Sequence, residues 1–234
     1  VMVLEATDNP LEKVRISGGG RCNVTHACWN PSELVLNYPR GQVPLLTPFS
    51  RFATGDAVDW FSKHGVELNM ERDGRMFPSS NSSSEVVNCL KKSTKELGIN
   101  VNTKVSIKSL QKLGLDRFLL KCCKGISFKS KKVLLATGGH PSGYRLAKQL
   151  GHKCIPPAPS LFTLSLEAPW IKKCAGFALD DVSLSLQIDD ELFEETGKIL
   201  ITHWGLSGPA VLRLTAFAAR KLQLANYTGS ININ

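Results

Sequence analysis

Three consecutive glycines constrain this chain more than any other feature. They lie in Lys13-Val14-Arg15-Ile16-Ser17-Gly18-Gly19-Gly20-Arg21-Cys22-Asn23-Val24-Thr25, shortly after an apolar run at residues 1–6. Glycine backbone carries no Cβ, so a ligand can approach it closely and its N–H groups can face oxygen anions. Arg21 adds a planar donor fork suited to phosphate. A glycine triplet alone is usually a turn. Ser-Gly-Gly-Gly-Arg-Cys-Asn just after a strand-like run is far more specific.

A second signal is Val133-Leu134-Leu135-Ala136-Thr137-Gly138-Gly139, read as a buried strand running into a small-residue turn. Such a turn permits close packing beside a ligand, and a plain strand end is the alternative. Residues 1–6 read as a short buried strand ending near Glu5. In a dinucleotide-binding fold the second strand ends in an acid that binds ribose hydroxyls, and Glu5 fits that role. Otherwise it is an ordinary strand-end carboxylate. Glu71-Arg72-Asp73-Gly74-Arg75-Met76-Phe77-Pro78 reads as a hairpin with an Asp-Gly turn. Arg75 is a candidate anion contact there, or a structural arginine. In Thr202-His203-Trp204-Gly205-Leu206-Ser207-Gly208-Pro209, His203 is the candidate acid/base or anion group and Trp204 the candidate stacking group. A tight strand-to-helix turn is the competing reading.

These segments resemble the flavoprotein family called HI0933-like or YhiN-like (BaiN-like). Its members carry a Gly-Gly-Gly-Arg-Cys-Asn loop along FAD and a Gly-Arg-x-Phe-Pro-x-Ser segment, while the Ala-Thr-Gly-Gly turn resembles one that recurs widely among flavoproteins with two dinucleotide-binding domains. The resemblance implies an α/β fold, a partial Rossmann-like FAD-binding domain of the two-dinucleotide-binding-domain type with an inserted β-rich domain. The expected division is residues 1–158 and 159–234. The resemblance further implies an FAD-dependent oxidoreductase with NAD(P)H as reductant and an unidentified small-molecule substrate. The implied cofactor contacts are Glu5, Ser17, Gly18, Gly19, Gly20, Arg21, Cys22, Asn23, Ala136, Thr137, Gly138 and Gly139. No catalytic acid or base is singled out. The family's opening Gly-x-Gly-x-x-Gly unit and its C-terminal glycine-rich segment are not in this sequence. The alternative expectation is therefore a truncated, non-catalytic fragment or interaction protein that holds flavin weakly or not at all. His140-Pro141-Ser142 is also shorter than the family's loop at that point.

With 234 residues, 42% of them hydrophobic, the chain can bury a core. No apolar run reaches the roughly 18 residues of a membrane helix, and no signal peptide is evident. Seven cysteines, none in a Cys-x-x-Cys pair, favour reduced thiols in an intracellular compartment. Cys22, His26 and Cys28 make a poor metal set, so no metal is expected. The net charge of +9 is local: residues 91–132 hold twelve Lys/Arg against two Asp/Glu, hence +10. Such a face can bind nucleic acid, but few aromatics accompany it, and solvated lysines are the preferred reading.

Among local elements, residues 26–52 read as loop and 53–64 as a helix capped by Thr54. Ser82 and Glu85 read as a capping box opening a helix with Val86, Leu90 and Leu97 on one face. Residues 99–105, 117–123 and 132–137 read as a small meander. Residues 161–166, 181–188 and 198–202 read as strands before a helix over 210–222.

Overall fold

The computed structural model describes residues 1–123 and 125–234. They form two compact units, Val1–Cys154 and Ile155–Asn234.

The first unit runs β1 (Met2–Leu4), α1 (Glu12–Ile16), β2 (Thr25–His26), α2 (Pro31–Leu34), α3 (Gln42–Phe49), α4 (Thr54–Lys63), β3 (Leu68–Met70), β4 (Arg75–Pro78), α5 (Ser83–Glu96), β5 (Asn100–Asn102), β6 (Ile107–Lys112), β7 (Phe118–Cys122), β8 (Ser127–Ser130) and α6 (Pro141–Gln149). β1 pairs with β5 in parallel, and β2-β4-β3 and β6-β7-β8 are antiparallel sheets. One core joins Cys22, Val66, Val86 and Cys89, with Val14, Trp60 and Phe61 against them. Another joins Leu110, Leu120 and Leu146, putting α6 on the inner face of β6-β7-β8.

Several local expectations change. The segment 26–52 is not all loop: α2 starts on Pro31 with Asn30 as its cap, and α3 absorbs two prolines. Pro44 sits in the first turn of α3, where a missing N–H costs nothing, and Pro48 near its end. The α4 cap is not Thr54. Ala53 precedes the helix, and the Asp56 carboxylate accepts its N–H at 2.8 Å. Ser82 does cap α5, but Glu85 bonds the Ser80 hydroxyl rather than completing a box. Leu97 lies past the helix end and is exposed, because the chain turns at Gly98 with positive φ.

Two apolar strands also differ. β1 exists, but Met2 and Val3 are exposed. Residues 132–137 carry no strand pairing, and Leu134 is 89% exposed. An apolar run becomes a strand only where a partner offers its backbone groups. The meander is instead β6-β7-β8, of which only β7 falls on an expected run, and residues 100–102 pair with β1.

The second unit holds β9 (Leu164–Ser165), β10 (Ala178–Ile188), β11 (Glu191–Ile201), β12 (Gly205–Ser207), α7 (Pro209–Leu224) and β13 (Ser230–Ile233). Its antiparallel sheet has the order β13-β10-β11-β12-β9. Along β10, Val182, Leu184, Leu186 and Ile188 alternate inward, the period of a half-buried strand. They meet Val211, Leu214, Ala218 and Leu222 of α7, spaced three or four apart. Pro209 occupies the first turn of α7, where its fixed φ suits the helix.

Candidate functional site

The glycine loop follows α1 directly. Gly18, Gly19 and Gly20 have φ of 55°, 68° and 86°, all in the left-handed region. Side chains there are strained, which is why the sequence needs glycine. The Ser17 hydroxyl donates to the Val14 carbonyl at 2.8 Å, and the Cys22 N–H donates to the Ser17 carbonyl at 3.0 Å. A Cβ on Gly18 would lie 2.8 Å from the Asn23 nitrogen, whereas one on Gly19 or Gly20 would meet open space. The exposed rim of the loop is therefore bare backbone.

The side chains after the glycines turn inward to the protein. Arg21 gives its Nη2 to Glu71 (2.6 Å) and to Asn81 (2.7 Å), and its Nε to Asn81 (3.0 Å). Its guanidinium lies 3.9 Å from the centre of the buried Phe77 ring, a cation–π contact. Arg75 bonds the other Glu71 oxygen at 3.0 Å and Asp73 at 2.8 Å. Burial opposes ionisation of Asp73, but the Arg75 N–H and guanidinium outweigh it and hold the carboxyl below its usual range. Cys22 is 6% exposed within the core. The Asn23 amide, turned with its NH2 toward acceptors, donates to the carbonyls of Thr25 (2.8 Å) and Met76 (3.3 Å). So the Arg21 fork that the sequence offers to phosphate, and the Arg75 fork beside it, are both engaged by carboxylates. They brace the loop against β4.

The turn at Ala136, Thr137, Gly138 and Gly139 is largely exposed, with Gly138 at φ 57° and open space beyond Gly139. A Cβ on Gly138 would lie 3.2 Å from Lys13 Nζ. Lys13 belongs to α1, which leads into the glycine triplet, so its ammonium links the two predicted segments. Arg15, Arg21 and Arg75 are each paired with an acid, and among the described residues Lys13 has no carboxylate partner. The sequence reading passed over Lys13. Its signal is a cation five residues before the triplet with no acid placed to meet it.

Glu5 ends β1. Its Oε1 accepts the Thr7 N–H and hydroxyl, both at 2.8 Å. These bonds, the backbone one foremost, hold its pKa below the usual glutamate range. Burial pushes the thiols of Cys28, Cys89 and Cys122 up, the direction opposite to an activated nucleophile. All seven cysteines are free, and among the described residues no group of three His, Cys, Asp or Glu could hold a metal ion. No helix among the described residues is long and apolar enough to cross a membrane. His203 and Trp204 lie in the second unit, where they line an open pocket with Lys172.

The sequence matches the family described as HI0933-like protein Rossmann domain over residues 1–224. The chain belongs to this family. Among curated HI0933-like relatives is a 3-dehydro-bile acid delta(4,6)-reductase of Clostridium scindens, 28% identical over 95% of this chain and 55% of the relative. A ribosomal RNA dihydrouridine synthase of Escherichia coli is 28% identical over 93% of this chain and 54% of the relative. The enzyme of the same name from Haemophilus influenzae is 25% identical over 88% and 52%. The chain thus spans about half the length of the curated relatives it matches. The Rossmann-like, mixed α/β character with additional β-sheets follows from the family match and the elements above. HI0933-like proteins are in general flavin-binding, and two exposed glycine turns with room beyond Gly19, Gly20 and Gly139 fit so flat and polyanionic a ligand.

Proposed function

We propose that this chain is the flavin-holding part of an FAD-dependent oxidoreductase that takes its electrons from NAD(P)H. The observation that carries the reading is the bare backbone of Gly18–Gly20 with Lys13 standing unpaired between it and the Gly138 turn. In this reading Gly19, Gly20 and Gly139 admit the cofactor to van der Waals distance. Ser17, Arg21, Cys22 and Asn23 hold the loop, and Ala136 and Thr137 lead into the second turn. Glu5 accepts from the ribose hydroxyls. Lys13 supplies the positive charge that Arg21 has already spent on Glu71. When bound, FAD supplies hydride transfer, and the chain supplies position and electrostatics.

Support for a reductase comes from the relatives' names. A delta(4,6)-reductase and a dihydrouridine synthase both saturate carbon–carbon double bonds, a reaction suited to a flavin hydride. The substrate proposed here is accordingly an electron-poor alkene conjugated to a carbonyl. Titration of the chain with FAD, followed by flavin fluorescence, tests the reading. Gly19→Val should weaken binding at least tenfold, because a branched side chain would occupy the open rim. An unaltered dissociation constant would remove the loop from the site.

A further inference from the structure

The second unit carries a pocket that the flavin reading does not use. Its volume is about 440 Å³, within the range of small-ligand sites. Leu166 and the fully buried Ile171 give it an apolar floor, Trp204 a wall, and Lys172, His203 and Ser165 a polar rim. No carboxylate is among the residues that line it.

The wall is built to stay exposed. Thr202 closes a tight turn with Gly205: its N–H donates to the Gly205 carbonyl at 2.8 Å, and its hydroxyl accepts the Gly205 N–H at 3.1 Å. The Trp204 carbonyl accepts the Leu166 N–H at 2.9 Å, tying the turn to the strand end beyond β9. A Cβ on Gly205 would lie 1.8 Å from the Leu164 carbonyl oxygen, so only glycine lets β9 close on β12 here. The result is a fixed turn that presents His203 and an indole 59% exposed to solvent. An indole left in water costs hydrophobic free energy unless something covers it. Among the described residues neither Lys172 nor His203 has an ion-pair partner.

We propose that this pocket binds a nucleotide, its base stacked on Trp204 and its phosphate held by Lys172 and His203. An apolar floor with an aromatic wall takes a flat ring, and a rim of one ammonium and one imidazole with no acid takes an anion. A nucleotide joins those two properties. The shared chemistry has two sources: the adenylate half of a dinucleotide reductant, or a pyrimidine nucleotide presented as substrate.

Calorimetric titration of the chain without FAD tests this independently of the flavin site. The probes are AMP, UMP, inorganic phosphate, adenosine and uridine. At least one nucleotide should bind more than tenfold tighter than phosphate or its own nucleoside. Preference for AMP marks the reductant and preference for UMP the substrate. Trp204→Ala should weaken that nucleotide at least tenfold, Trp204→Phe should restore most of it, and Lys172→Gln should cost about tenfold. Lys172 is exposed, so its substitution leaves the fold intact. Binding no tighter than that of phosphate, or equal affinity in wild type, Trp204→Ala and Lys172→Gln, would overturn the proposal.

Discussion

At the scale of single residues, the glycine triplet divides by what surrounds each position. Gly18 combines positive φ with a Cβ position 2.8 Å from the Asn23 nitrogen, so Gly18→Ala adds a clash to backbone strain. Urea unfolding should show a loss of about 2–3 kcal/mol, against about 1 kcal/mol for Gly19→Ala, which meets only strain. Equal losses would mean that the loop relaxes freely. Lys13→Gln should weaken FAD about tenfold and flatten the salt dependence of binding, since it removes an unpaired charge. Glu5 gives a pH test. Its folded pKa is depressed, so the stabilisation from Thr7 is complete above the unfolded pKa and is lost as pH falls through the folded one. FAD affinity should therefore hold constant down through the usual glutamate range and fall only below it, and Glu5→Gln should abolish that fall. A decline already within the ordinary range would contradict the assigned hydrogen bonds.

At the scale of elements, what the sequence disclosed depended on whether the cause was local. The Ser82 cap, the alternation along β10 and the Pro209 start of α7 are set by neighbouring residues, and all were legible. The strand expected at residues 132–137 was not there, because its apolar content says nothing about who will pair with it. The exposed Leu134 is the physical sign of that gap. The Arg21–Glu71–Arg75 brace was hidden for a related reason. Glu71 lies fifty residues from Arg21, and only the β3–β4 hairpin brings them to 2.6 Å. Sequence reading thus found the glycine loop but gave its arginine an outward role. Because these ions are one-third to one-half exposed, Glu71→Gln should cost only about 1 kcal/mol of stability. Leu214→Ala, within the core between α7 and its sheet, should cost about 2–5 kcal/mol by the same denaturant measurement.

At the scale of the molecule, charge is the property least explained by the flavin reading. Of the eleven described Lys/Arg within residues 91–132, only Lys92 and Lys104 have ion-pair partners. Lys121 and Lys129 lie on the solvent face of β6-β7-β8. If this surface meets RNA, retention on an RNA column should fall steeply with salt, and Lys121→Glu with Lys129→Glu should lower it. Retention unchanged by those reversals would leave the lysines as a solvated face. The central claim is that the two glycine turns hold a flavin, and one measurement tests it most directly. The chain is incubated with FAD, desalted, and its visible absorption recorded beside Gly19→Val. The account predicts a retained flavin spectrum in the wild type that is reduced or absent in the variant. A folded wild-type chain that emerges colourless would contradict it.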